Sequence, residues 1–239
     1  VAVKHPMSVW IYGSVARGDA DDHSDVDVLV AGDGDGDGWQ LALAGHPMLA
    51  ALTDEGRKLS PMRFAWHELD AMAAYGSLFL HHLRLEGRPL TQPPDDGLRV
   101  LLKALPPYQR AAEEIRAFRT VLQDVRRSTL GPHSPAFELA VIATALRHAF
   151  ILGCYVAGQP DFGRTSPFRR LCPALGQPDR MAADLAMLYE FRLYQHERAP
   201  APFRAMTTDV HKWLKTAEAL FATIQETVDV FDRTVHRTA

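Results

Sequence analysis

Asp25 and Asp27, two residues apart, are the first side chains in this 239-residue sequence with an evident capacity for chemistry. In an extended segment side chains alternate, so Asp25, Asp27 and Leu29 share one face while Val26, Val28 and Val30 share the other. Two carboxylates held side by side repel each other unless a cation lies between them. Mg²⁺ accepts such oxygen ligands together with substrate phosphates. Upstream, Gly13-Ser14 supplies the counterpart. A glycine lets the backbone approach a ligand closely, and Ser14 adds a hydroxyl at the start of a helical turn whose free N–H groups favour a phosphate. A phosphate cradle beside a dicarboxylate clamp suits metal-assisted displacement at phosphorus, the chemistry of nucleotidyl transfer.

Positioning these residues requires two strands and a turn. Ser8–Tyr12 is an apolar, β-favouring run that ends at Gly13-Ser14, and Val26–Val30 is a second. Between them, Val15–Gly18 is expected to form one helical turn and Asp19–Ser24 a polar loop. Gly32–Gly38 alternates glycine and aspartate, but a calcium loop would need a glutamate where Ala44 stands, so it reads as a solvated connector. Trp39–Leu52 has helical spacing interrupted at Pro47, and Lys58–Trp66 suits a third strand. Glu68–Leu85 reads as one helix whose Tyr75, Leu78, Phe79, His82 and Leu83 stripe packs on the sheet. Glu86-Gly87-Arg88-Pro89 ends it, and Gln92–Gly97 reads as a linker.

Beyond residue 97 helical periodicity dominates, over Leu98–Leu130 with a break at Pro106-Pro107, Pro135–Gly158, Asp179–Arg198 and Thr207–Val235. The expected class is α+β: a small mixed-sheet domain over residues 1–93, followed by an all-α helical bundle domain over 98–239.

The stretch Gly13-Ser14-Val-Ala-Arg17-Gly18-Asp, ten residues of spacer after Ser14, then Asp25-Val26-Asp27 resembles the nucleotidyltransferase superfamily typified by DNA polymerase beta. It is similar in particular to the minimal and the aminoglycoside nucleotidyltransferases, over roughly residues 8–93. The resemblance implies that Gly13 and Ser14 hold a nucleoside triphosphate and that Asp25 and Asp27 hold Mg²⁺. Arg17 and Ser24 match the motif as well, in phosphate binding and loop bracing. The family usually places a third carboxylate on the next central strand. Lys58–Trp66 contains no acid: Ser60 or Met62 falls at that position, and Glu68 lies just past it.

Composition narrows the partners. With 47% hydrophobic and 23% charged residues, the chain is neither disordered nor a coiled coil. Its 26 basic and 29 acidic side chains give a net charge of −3, which argues against a protein that coats nucleic acid. Residues 1–93 carry −6 and the remainder +3. Cys154 and Cys172 make neither a disulfide framework nor a zinc cluster, so a cytoplasmic location is expected. Val1–Pro6 lacks the basic-then-apolar pattern of an export signal. The apolar run Leu139–Ala157 is broken by Arg147 and His148 and reads as a buried helix rather than a membrane span.

Other polar pairs weigh less. His81 and His82 point about 100° apart on a helix and do not chelate together. Arg147-His148 suits either a cleft or a satisfied buried pair, and Arg192 with His196 a shared helix face. Helical domains joined to such transferases often resemble the HEPN group, some of which are ribonucleases. Arg204 and His211 fit that spacing, but inside a segment that reads as a helix start. Glu113, Glu114, Glu138 and Glu190 are equal candidates for a general base. The expected activity is Mg²⁺-dependent transfer of a nucleoside monophosphate from ATP or another NTP to a hydroxyl of an antibiotic-like small molecule or a protein. The alternative is a catalytically weak or inactive nucleotide-binding or regulatory module, toxin–antitoxin-like.

Overall fold

The structure, a computed structural model, describes residues 6–22, 24–33, 38–90, 96–195 and 209–238. Four strands, β1 (Ser8–Tyr12), β2 (Val26–Ala31), β3 (Leu59–Phe64) and β4 (Arg88–Pro89), form one sheet in the order β3-β2-β1-β4. β1 runs antiparallel to β2 and β4, and β2 runs parallel to β3, so the sheet is mixed. β1 and β2 are apolar almost throughout because both of their faces are covered. On one face Val9, Ile11, Val26, Val28 and Val30 pack with Ala16, Leu43 and Leu49. On the other, Trp10, Tyr12, Leu29 and Ala31 meet Trp66, Leu69, Leu80, Leu83 and Leu98. β3 is an edge strand, exposed along its middle, and Pro61 and Arg63 guard it against further pairing. It stops at Phe64, before the expected end at Trp66.

Six helices serve this unit: α1 (Gly13–Arg17), α2 (Gly38–Ala44), α3 (Pro47–Asp54), α4 (Trp66–Ala74), α5 (Leu78–Glu86) and α6 (Gly97–Lys103). Pro47 opens α3 as its first residue, so the interrupted segment is two helices. The single helix expected over Glu68–Leu85 is also two. Gly76 breaks it at φ +65°, and a Cβ there would collide with the carbonyls of Pro106 and Pro107. Within α5 the fully buried histidine is His81, whose Nε2 donates to the Pro106 carbonyl at 3.1 Å, while His82 is half-buried. Burial pushes the His81 imidazole down to about 4.

The expected linker Gln92–Gly97 falls mostly on residues outside those described, but its end is ordered by α6. Asp96 caps α6 by accepting from the Arg99 amide, and its carboxylate also accepts from Ser8 Oγ at 2.9 Å. The Trp10 indole donates to the same Ser8 hydroxyl, so α6 is tied to β1. Leu98, Leu102 and Leu105 complete the core beneath it. The chain divides into compact units after Gln109, with α6 on the sheet side.

The second unit holds α7 (Ala111–Ser128), α8 (Pro135–Val156), α9 (Ser166–Leu171), α10 (Asp179–Gln195) and α11 (Val210–Thr238). α8 is its centre, packed by the other four. By length and composition α8 could cross a membrane, yet 67% of that stretch is buried among its neighbours, as in a core helix. Arg147 survives there because its guanidinium donates to the Phe162 carbonyl at 3.0 Å. Short α9 carries no helical signal strong enough to show in the sequence. Asp161 holds its start by accepting from the Gly163 amide, Ser166 Oγ and Arg170 Nε.

Candidate active site

β1 delivers the chain to Gly13, whose φ of +71° turns it directly into the one-turn helix α1. A Cβ at Gly13 would collide with Asp27 Oδ2, so the turn's backbone lies against the carboxylate. Tyr12 stands directly opposite Asp27 in the antiparallel pair, which puts both side chains on one face. The Tyr12 phenol is pushed up to about 12 by burial and then by the negative charge of Asp27. Asp27 is half-buried, between Val26 and Val28, whose side chains are fully buried on the other face. Asp25 is also half-buried and immediately precedes β2, where two-residue periodicity assigns it to the Asp27 side. Ser14 is half-buried, and its hydroxyl takes no partner among the described residues.

Ser24 is turned inward, away from solvent. Its hydroxyl donates to Asp21 Oδ1 at 2.7 Å and accepts from the Asp21 amide at 3.0 Å, closing the loop before the aspartates. Arg57 clamps the same loop from outside, its NH1 donating to the Asp21 carbonyl at 2.7 Å and reaching the Ser24 carbonyl at 3.3 Å. Arg17 donates through Nε to Asp19 and through NH1 to Glu86 at 2.6 Å. His82 Nε2 lies 2.8 Å from the same Glu86 oxygen, and its ring meets Tyr12 edge-on at 5.6 Å. Burial alone would raise the Glu86 carboxyl, but the bonds from His82 and Arg17 outweigh it and hold the group below its ordinary range. Asp27 is therefore backed by Tyr12, and Tyr12 by a polar chain that ends at Arg17. Sequence reasoning missed Arg57, Glu86 and His82 in these positions, because no motif spacing connects them to the aspartates.

In the parallel pair Ser60 stands opposite Asp27 and Met62 opposite Leu29, and both are exposed. Glu68 is remote from this end. It follows β3 at the opposite end from Ser60, ~13 Å along the strand at about 3.3 Å per residue, and its carboxylate accepts from the Ala65 amide at 2.7 Å to cap α4. No group of three or more metal-ligating side chains occurs among the described residues. Asp25 and Asp27 nonetheless offer the hard oxygen donors that suit Mg²⁺, an ion commonly held by one or two carboxylates with phosphates and water completing its shell.

The other polar pairs are occupied elsewhere. His81 and His82 serve Pro106 and Glu86, so they share no ligand. Asp33, from the Gly-Asp repeat, accepts from the Trp66 amide, while residues 34–37 lie outside those described. Arg204 and His196, invoked in the expected Arg204/His211 and Arg192/His196 pairs, also lie outside them.

Residues 3–72 match the family model described as the nucleotidyltransferase domain. This part of the chain is a nucleotidyltransferase domain. The match runs from before β1 into α4 and includes Gly13, Ser14, Arg17, Ser24, Asp25 and Asp27. The helical unit lies outside it. No curated protein matches the chain. The nucleotidyltransferase domain thus places the turn at Gly13 against the Asp27 carboxylate of its second strand.

Proposed function

We propose that the protein transfers a nucleoside monophosphate from ATP or another NTP to a hydroxyl of a small molecule or protein, in a Mg²⁺-dependent reaction. The observation that carries this reading is the close contact between the Gly13 turn and the Asp27 carboxylate, which brings the backbone of a strand–turn–helix beside an anionic candidate metal ligand. In this reading Asp25 and Asp27 hold the ion, and Gly13 and Ser14 line the triphosphate. Mg²⁺, when bound, would neutralise phosphate charge and polarise the α-phosphorus toward the incoming hydroxyl. Ser24 and Arg57 brace the loop that leads into the aspartates through Asp21 and the Asp21 and Ser24 carbonyls. Arg17 contributes positive charge to the cradle while its Nε and NH1 remain with Asp19 and Glu86. The hydroxyl oxygen attacks the α-phosphorus and gives up its proton to solvent, the bond from that phosphorus to the α,β-bridging oxygen breaks, and pyrophosphate leaves.

Ser60 opposite Asp27 favours a second reading, a nucleotide-binding module with weak or no turnover. One experiment separates the two. The protein is incubated with Mg²⁺ and each α-labelled NTP, and pyrophosphate release and label transfer are followed for the wild type and D27N. Metal-dependent release lost in D27N, with an unchanged melting temperature, supports the transferase. NTP binding without release supports the module, and absence of NTP binding refutes both.

A further inference from the structure

A groove of about 570 Å³ opens on the helical unit, far in sequence from the nucleotidyltransferase motif. Its floor is one stripe of α8, where Phe137, Val141, Thr144, Ala145 and His148 recur at helical spacing. Phe118 and Val121 of α7 form a wall, and Arg192 of α10 joins the lining. The eleven helical steps from Phe137 to His148 give the floor a length of ~16 Å. Thr144 spends its hydroxyl on the Ala140 carbonyl at 2.8 Å, so the middle of the floor is apolar in effect. Phe137 is 56% exposed at one end.

Charge is confined to the other end. His148 meets the Phe118 ring at a tilt of 51°, centroids 5.7 Å apart, and is half-buried. Burial, then the charges of Arg147 and Arg192, hold its imidazole down to about 4, so it is neutral at physiological pH. Arg192 makes no hydrogen bond or ion pair among the described residues, and no acid lines the groove. The volume lies within the ordinary range for small-molecule pockets, about 300–1,000 Å³, and apolar walls with one convergent cation are their usual chemistry.

We propose that this groove binds a medium-chain aliphatic carboxylate, its chain lying along the α8 stripe from Phe137 and its carboxylate paired with Arg192 beside His148. Charge complementarity carries the assignment, since the one guanidinium among the described lining residues, at the end of an apolar trough, is matched by one anionic group on an apolar body. The site is independent of the nucleotidyl-transfer reading.

Calorimetric titration of the full chain with dodecanoate, below its micelle concentration, tests it against 1-dodecanol, which has the same chain without the charge. The wild type should bind dodecanoate at least tenfold tighter than dodecanol. R192Q should erase that preference, and V141W, which fills the trough, should abolish binding of both at an unchanged melting temperature. Equal affinity for acid and alcohol, retention of the preference in R192Q, or unaltered binding in V141W would overturn the proposal. So would a dimer of the wild type that F137S dissolves without any dodecanoate binding, since a second copy would then be the occupant.

Discussion

Alanine at Gly13 and alanine at Gly18 form a matched pair that isolates the contact at the heart of the site. Both glycines have left-handed backbones, with φ of +71° and +82°. An L-residue in that region costs about 1–2 kcal/mol, so each variant should lose that much stability, a drop of several degrees in melting temperature. The difference lies in what the new methyl group meets. Around Gly18 nothing lies within 4 Å, so G18A bears only the backbone cost. At Gly13 the methyl would overlap Asp27 Oδ2, and the carboxylate or the turn must move. An ångström-scale misplacement of a catalytic group costs on the order of 100-fold in rate. G13A should therefore melt at or somewhat below the temperature of G18A, while Mg²⁺-dependent pyrophosphate release falls by about 100-fold in G13A and remains near wild type in G18A. Mg²⁺-dependent NTP binding, measured by calorimetry, supplies a second readout and should weaken only in G13A. Turnover and binding in G13A equal to those of G18A would refute the idea that close approach of this turn to Asp27 matters.

Other outcomes follow from the same geometry. S60D places a carboxylate directly across from Asp27 in the parallel register; the Mg²⁺ concentration for half-maximal turnover should fall at least about tenfold, the equivalent of ~1.4 kcal/mol, and no change would remove Ser60 from the metal's surroundings. R57Q loses the clamp on the Asp21 and Ser24 carbonyls, so titration should show Mg²⁺ affinity weakened by about tenfold, as expected for a charged hydrogen bond of ~1.5 kcal/mol, with little change in melting temperature. His148 makes stability pH-dependent: its imidazole is held down to about 4 in the fold against 6.5 when free, so the unfolded chain takes up a proton first as pH falls. The penalty is absent above pH 6.5 and grows toward about 3 kcal/mol near pH 4. In urea titrations across that window H148F should lose less stability than the wild type, and parallel curves would contradict the burial of a neutral imidazole.

The sheet was legible because β1 and β2 are short, β-favouring runs punctuated by Gly13-Ser14 on one side and Gly32 on the other. The alternation of Asp25, Asp27 and Leu29 against three valines has only one arrangement that buries the valines. Proline marked the start of α3 for the same reason, since it lacks the N–H that a helix interior needs. What escaped was tertiary in origin. Gly76 breaks α4 from α5 because the Pro106-Pro107 backbone passes over it, a segment thirty residues downstream. Without that approach, Glu68–Leu85 has the periodicity of one continuous helix. The helical stripe includes His82 and leaves out His81 for the same cause: the carbonyl that satisfies the buried His81 belongs to the same distant segment.

At the candidate site, the proposed ligands come from one sequence motif while their supports do not. The residues proposed to meet phosphate and metal must be contiguous with the turn and the strand, which compresses them into the fifteen positions from Gly13 to Asp27. Their supports face no such constraint. Arg57 and Glu86 act through long side chains from a turn and a helix end, and any element that brings a guanidinium or carboxylate within reach would do as well. The position of the third acid shows the same division from the other side. The sequence narrowed it to Ser60, Met62 or Glu68, and only the parallel register discriminates among them: Asp27 faces Ser60, Met62 stands beside Leu29, and Glu68 caps a helix at the far end of the strand. A site with two fixed carboxylates leaves more of the metal's shell to phosphate and water. Its ion should accordingly be held chiefly when a triphosphate is present, so that Mg²⁺ affinity measured with NTP should exceed the affinity of the free protein far more than in S60D.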